Sequence, residues 1–209
     1  MALSKDYILA VRGGVKPERD DFAEKEHAAD ALADRLAEYL TQSGYKACSQ
    51  SDESNFQNGN FDGATRSSLL PHKTLARLAG IGYIGKNNLL INERYGCALV
   101  LGTVLTDAPA ATFEYTFATA SDSTLDVAPN TKSATASDPE VISASVYTPD
   151  PSGCGDCDVC RSVCDANAIF GNEWSIATGR DGVIDVAKCT CSLKCMVHCP
   201  ATLKYATSV

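Results

Sequence analysis

From about residue 21 to residue 44 the apolar positions Ala29, Leu32, Ala33, Leu36 and Leu40 recur every three or four residues, the period of an amphipathic helix. Asp20 or Asp21 can cap its start and Gly44 can stop it. Residues 7–11 form a continuous apolar run closed by Gly13 and Gly14, which reads as a buried strand. Residues 45–48 read as a second strand, and residues 51–66, rich in Asn, Asp, Gly and Ser, as a loop. Pro71 favours a short helix over residues 72–78. Residues 89–91 and 98–105, either side of the turn 92–96, read as a β-hairpin whose second arm is apolar enough to be buried. Further on, residues 141–147 are a candidate strand, residues 166–170 predict a helical turn ended by Gly171, and residues 174–177 predict a strand carrying the single Trp174.

Composition divides this pattern. Between residues 110 and 150, 21 of 41 residues are Ala, Ser or Thr and Lys132 is the only basic one, too little to build a core. That stretch reads as a linker or surface insertion between residues 1–109 and residues 151–209 of a 209-residue chain. The fold class expected is α+β, an N-terminal α/β part followed by a smaller cysteine-rich one.

Cysteine supplies the strongest chemical signal. Eight of the ten cysteines fall between residues 154 and 199. Cys154, Cys157, Cys160 and Cys164 have the spacing C-x2-C-x2-C-x3-C, the run that holds four-iron clusters, its fourth cysteine serving the other cluster of a pair. Three thiolates on a short loop can wrap three corners of a cube. The fourth corner must come from elsewhere, and Cys199, followed by Pro200, is the evident donor. Two other uses of cysteine compete. A disulfide framework suits a small secreted domain, but the start of the chain has Lys5 and Asp6 within its only apolar stretch and no signal-like apolar region. Zinc sites pair two C-x2-C units from separate stretches, whereas here three cysteines follow at equal spacing.

Charge narrows the partners. Lys and Arg number 18 against 26 Asp and Glu, for a net charge of −8, so a nucleic-acid surface built on phosphate neutralisation is not expected. An acidic electron carrier would meet a redox partner protein through a basic surface of that partner. No apolar run of 18 residues is present, so no membrane span is expected. Free thiols in this number imply a reducing compartment, most simply the cytoplasm, and a low-oxygen setting.

The remaining candidates are weaker. His27, beside Glu24 and Glu26, reads as a solvated residue. His72 and Lys73 sit where a helix N-terminus can attract an anion, or are simply solvated. Residues 80–87 contain a literal G-x-G-x-x-G, but it follows a helix and leads into apolar residues, and Asn87 stands where a phosphate loop needs Ser or Thr. What survives is a glycine-rich turn, Gly82 and Gly85 with Lys86 and Asn87 at its end. Its backbone can approach a cofactor, a substrate or another part of the chain. Cys48 and Cys97 read as small buried hydrophobes.

Leu70-Pro-His-Lys-Thr-Leu-Ala76, Ala79-Gly-Ile-Gly-Tyr-Ile-Gly-Lys-Asn87, Leu105-Thr-Asp-Ala-Pro109, Cys154-Gly-Asp-Cys157 and Cys199-Pro200 occur here in one order. In these motifs the chain resembles the epoxyqueuosine reductase family, above all its short stand-alone iron–sulfur members, over about residues 5–110 and 152–205. The resemblance implies an N-terminal α/β domain able to hold a cobalamin beside a ferredoxin-like domain with two [4Fe-4S] clusters. It implies Cys154, Cys157, Cys160 and Cys199 on one cluster, and Cys164, Cys189, Cys191 and Cys195 on the other. It also implies that Gly82, Gly85, Lys86, Asn87 and His72 lie near the bound cofactor.

The chain departs from the family in four places. The family's catalytic acid matches Thr65 here, with Asp62 three residues upstream, so no catalytic residue is assigned. The helical-repeat tail used toward transfer RNA is missing. Asp165 replaces the proline usual after the fourth cysteine, and only Thr190 separates Cys189 from Cys191. Residues two apart in an extended chain point the same way, which would let Cys189 and Cys191 face one cluster. The functional expectation is an oxidoreductase passing single electrons from two clusters to a cofactor or small-molecule substrate. The alternatives are a non-catalytic ferredoxin-type carrier and a protein whose clusters only hold the fold.

Overall fold

A computed structural model describes residues 1–109 and 153–208; the linker and the candidate strand at 141–147 lie outside them. The described residues form a mixed fold of helices and small two-stranded sheets, in agreement with the α+β class.

The apolar run at 7–11 is not a strand. It lies in helix α1 (Lys5–Arg12), whose N-cap Ser4 accepts a hydrogen bond from the Tyr7 N–H through its side chain. A short apolar run has no period of its own, so the cap decides. The helix buries Tyr7 and Ile8 and leaves Leu9 exposed. The extended segment lies just before it, where Leu3 N–H donates to the Ala98 carbonyl at 2.9 Å and Ala2 bridges Leu99.

Helix α2 (Asp21–Gln42) follows the expected pattern, capped by Asp20 and followed by Gly44 at φ +92°. Its buried stripe is Ala29, Ala33, Ala37 and Leu40, while Leu32 and Leu36 remain exposed. Small side chains let the backbone of its partner come close: a Cβ on Gly102 would stand 3.0 Å from the Ala29 carbonyl oxygen. That partner is the antiparallel pair β1 (Ala47–Ser49) and β6 (Val104–Thr106), in register Cys48 with Leu105.

Residues 51–66 are more ordered than a loop. They hold helix α3 (Asp52–Gln57), capped by the Ser51 hydroxyl, and part of a hairpin of β2 (Phe61–Asp62) with β3 (Ser67–Ser68). The Ser, Asp and Asn residues that mark loops also cap helices, which hid α3 in a polar stretch. Helix α4 (His72–Leu78) begins after Pro71 as expected. The expected hairpin across the turn 92–96 is reduced to one bridge, Asn92 with Gly96. Residues 83–91 close on themselves instead, β4 (Tyr83–Ile84) pairing with β5 (Leu90–Ile91), while β6 turns away to β1.

The cysteine-rich segment carries three short helices, α5 (Val159–Ser162), α6 (Lys194–Val197) and α7 (Pro200–Thr207). The helical turn expected at 166–170 is absent: Asn167 takes φ +48° and Ile169 bridges Ile184, burying both among Ala168 and Val183. Residues 174–177 form no strand, and Trp174 instead lies under the Arg77 guanidinium at 4.7 Å. One core joins both described stretches, with Leu3, Ile8, Ile91, Ala98 and Val100 packed against Met196, Val197 and Ala206. Among the described residues no helix is long and apolar enough to cross a membrane.

Candidate metal centre

The four thiols expected on the first cluster line one pocket. Cys154 opens a tight turn closed by a 2.9 Å hydrogen bond from the Cys157 N–H to its carbonyl, with Gly155 at φ +46°. Cys160 lies in α5, and Cys199 is the N-cap residue of α7. With Pro200, Ile91, Lys86 and Asn87 they line one small pocket. Chain folding alone brings Cys199 across from a run some forty residues earlier.

The glycine-rich turn forms one wall of this pocket. Lys86 Nζ donates to the Gly155 carbonyl at 2.7 Å, and Tyr83 packs so closely on Gly153 that a Cβ there would meet its ring at 3.0 Å. Asn87 is buried; its Nδ2 donates to Cys97 Sγ at 3.4 Å and to the Cys195 carbonyl at 3.5 Å, while its Oδ1 accepts from the Leu89 N–H. Cys97 is buried as expected, yet it is not merely a hydrophobe. Its sulfur is 3.2 Å from Thr202 Oγ1, and its N–H donates to that same oxygen at 3.0 Å.

The thiols divide by environment. Cys199 is held well below the ordinary thiol range, first by the neighbouring Cys97 thiol and then by the backbone N–H groups of Thr202 and Ala201. Cys97 is raised, through the same contact and through burial. Burial lifts Cys154, and pushes Cys160 up to about 11. A metal that binds these thiols must therefore displace protons from most of them.

The second set gathers less fully. Cys164, Cys189 and Cys195 pack around the small core of Cys160, Ala168, Ile169 and Ile184. Cys164 Sγ accepts from the Ala168 N–H at 3.4 Å. Cys195 is pushed up to about 12 by burial and by the nearby Cys160, Cys189 and Cys164. Cys191 is exposed and takes φ +53°, so residues 189–191 are not extended and the alternation expected of them does not apply. It still lies beside Cys189. The Arg66 guanidinium fastens this loop from the β2–β3 hairpin, donating to the carbonyls of Val186 at 3.1 Å and Cys189 at 3.3 Å.

No disulfide forms; all ten cysteines are free thiols. Among the described residues, no three His, Cys, Asp or Glu side chains stand close enough together to hold a single metal ion. The four thiols at the first pocket are a donor set of the kind that iron–sulfur groups take.

Other candidates are occupied by the chain itself. A Cβ on Gly82 would collide with the Ile91 carbonyl and one on Gly85 with the Ile91 side chain, so both glycines serve close packing of the β4–β5 hairpin. His72 lies apart from the thiol pocket, its Nδ1 2.7 Å from Thr103 Oγ1. Lys73 Nζ donates to the Asn88 carbonyl at 2.9 Å and is pushed down to about 8, chiefly by burial and then by Arg180. Neither residue is solvated or turned toward an anion. His27 is exposed. Asp62 accepts from Ala64 and from both the backbone and hydroxyl of Thr65, bonds that hold its carboxyl below the ordinary range and make it a poor proton donor.

Reading the chain alone overlooked Thr202, Arg66 and the polar role of Cys97. Thr202 had a visible signal, standing three residues after Cys199 where a capping side chain meets the N3 position. Comparison of the chain with known protein families, with curated proteins and with solved structures finds no match. The resemblance to the epoxyqueuosine reductase family rests on the motifs quoted for it.

Proposed function

We propose that this chain is an iron–sulfur redox protein of the epoxyqueuosine reductase type, with a ferredoxin-like arrangement of two [4Fe-4S] clusters. Cys154, Cys157, Cys160 and Cys199 would hold one and Cys164, Cys189, Cys191 and Cys195 the other. The observation that carries the reading is the meeting of Cys199 with the 154–160 run at one pocket, walled by Lys86 and Asn87. Bound clusters supply single-electron transfer at potentials tuned by hydrogen bonds to sulfur and by exposure. The chain's own part is to supply sulfur, to orient it through the Lys86 and Arg66 bonds, and to exclude water with Ile91 and Pro200. Contact between Cys160 and the Cys195 set brings the two thiol groups side by side, a short route between them. We infer a cytoplasmic setting and a separate electron-donor protein.

A specific observation favours the second reading, a non-catalytic electron carrier. The space beside the glycines that would have let a cobalamin or substrate approach the turn is filled by Ile91, and the carboxyl of Asp62 is held below the ordinary range by its bonds to Thr65 and Ala64. We therefore derive no step through a corrin.

Anaerobic reconstitution with iron, sulfide and cobalamin tests both. The expected result is about eight irons per chain with a reducible electron-spin signal. Cobalt retained at about one per chain supports the enzyme; clusters without cobalt support the carrier. A folded chain that takes up no iron defeats the proposal.

A further inference from the structure

We propose that Lys86 is a potential-setting residue, its ammonium serving as the counter-charge of the cluster held by Cys154, Cys157, Cys160 and Cys199. The inference rests on the iron–sulfur reading and goes beyond the bond that fastens the loop, since it assigns a role to the charge itself.

Three observations carry it. Lys86 lines the same pocket as the four thiols, and of the eight residues around that pocket it alone has a cationic side chain. A direct contact fixes its position: Nζ donates at 2.7 Å to the carbonyl of Gly155, the residue after Cys154 in the turn that the Cys157 N–H closes. That bond uses one of three ammonium protons and leaves the charge beside the thiol-bearing loop. Finally, no carboxylate among the described residues forms an ion pair with Lys86. Asp156 of the same turn is exposed, and Asp158 is paired with Arg161 at 3.5 Å.

Four thiolates give a bound cluster a net negative charge, which reduction increases. A fixed cation beside it favours the reduced form, through a Coulomb attraction that the apolar Ile91 and Pro200 leave less screened than in open water. Lys86 therefore raises the potential of this cluster. The side chain is only half-buried, so salt weakens the effect. Cys164, Cys189 and Cys195 pack outside this pocket, which makes the second cluster an internal control.

The test is anaerobic redox titration of the reconstituted full chain, read by electron-spin resonance with an iron count, for wild type, Lys86→Met, Lys86→Gln and Lys86→Arg. Lys86→Met and Lys86→Gln should lower the reduction equilibrium of one cluster by up to about tenfold, equivalent to about 59 mV for one electron. Lys86→Gln is the deciding variant, because it keeps an N–H for the Gly155 carbonyl and removes the charge. Lys86→Arg keeps the charge and should stay near wild type. The gap between wild type and Lys86→Gln should shrink in about 1 M salt, where the screening length falls to about 3 Å. A wild-type potential in iron-loaded Lys86→Gln overturns the inference, since the bond and not the charge would then matter. An equal fall in both clusters overturns it too, as does a gap that salt leaves unchanged, because either marks a change of shape. If Lys86→Met fails to fold, Lys86→Gln and Lys86→Arg decide; failure of all three to hold iron makes Lys86 a structural necessity and overturns the inference. A wild-type chain that assembles no cluster defeats this inference together with the function it rests on, whereas clusters insensitive to the Lys86 charge defeat only the inference.

Discussion

Lys86 and Gly155 lie 69 residues apart in sequence, yet Lys86 Nζ donates a 2.7 Å hydrogen bond to the Gly155 carbonyl inside the first cysteine turn. The glycine-rich turn therefore grips the loop that presents Cys154 and Cys157. Lys86→Met keeps the apolar stem and removes the bond, worth about 1 kcal/mol at this partly exposed position. Iron bound by the variant should be lost to a chelator about fivefold faster than from wild type. Equal rates of loss, followed by visible absorbance, would show that the bond does not hold the loop.

Arg66 makes the corresponding attachment at the second set, through the carbonyls of Val186 and Cys189. Arg66→Ala should leave the first set loaded and empty the second, lowering iron from about eight to about four per chain. Retention of the full complement would mean that the loop around Cys189 holds its shape unaided.

Gly96 stands where the turn after β5 meets α7. It has φ +60°, and a Cβ would collide with the Thr202 backbone N–H and come within 2.6 Å of the Ala201 carbonyl carbon. Backbone cannot yield as a side chain can. Gly96→Ala should cost about 3 kcal/mol or more, read as a lower urea midpoint, and should loosen the Cys97–Thr202 contact with it. A midpoint within error of wild type would contradict the close approach.

Lys73 gives a pH dependence of known sign. Its ammonium is pushed down to about 8 by burial, with Arg180 adding to the effect. An unfolded lysine titrates near about 10.4, so between about pH 8 and that value the unfolded chain keeps a proton that the folded chain has released. This group's contribution to stability then rises with pH. The stability of wild type minus that of Lys73→Met should climb by about 1–3 kcal/mol across the window. A flat difference in urea unfolding at pH 7.5 and pH 10 would place Lys73 in solvent.

Local signals account for what could be read before folding. Helix α2 was legible because Asp20, the alanine and leucine stripe and Gly44 all agree, and α4 because Pro71 marks its start. The hairpin expected across 92–96 failed for a physical reason: which strand pairs with which depends on competing partners, and β6 finds β1 more than fifty residues away. The run at 7–11 failed because five apolar residues satisfy either period until a cap chooses.

By itself the sequence determined the number and spacing of the thiols, eight cysteines between residues 154 and 199 in a chain of net charge −8, a pattern from which polynuclear ligation is expected. Tertiary structure alone decided which groups stand behind them. Cys97 beside Thr202, Arg66 on the Cys189 loop and Ile91 in the space beside Gly82 and Gly85 each join residues with no local relation. Ligand spacing is a property of the bonded chain. The hydrogen bonds and packing that tune a ligand come from whichever segments the common core of α1, α6 and α7 draws together.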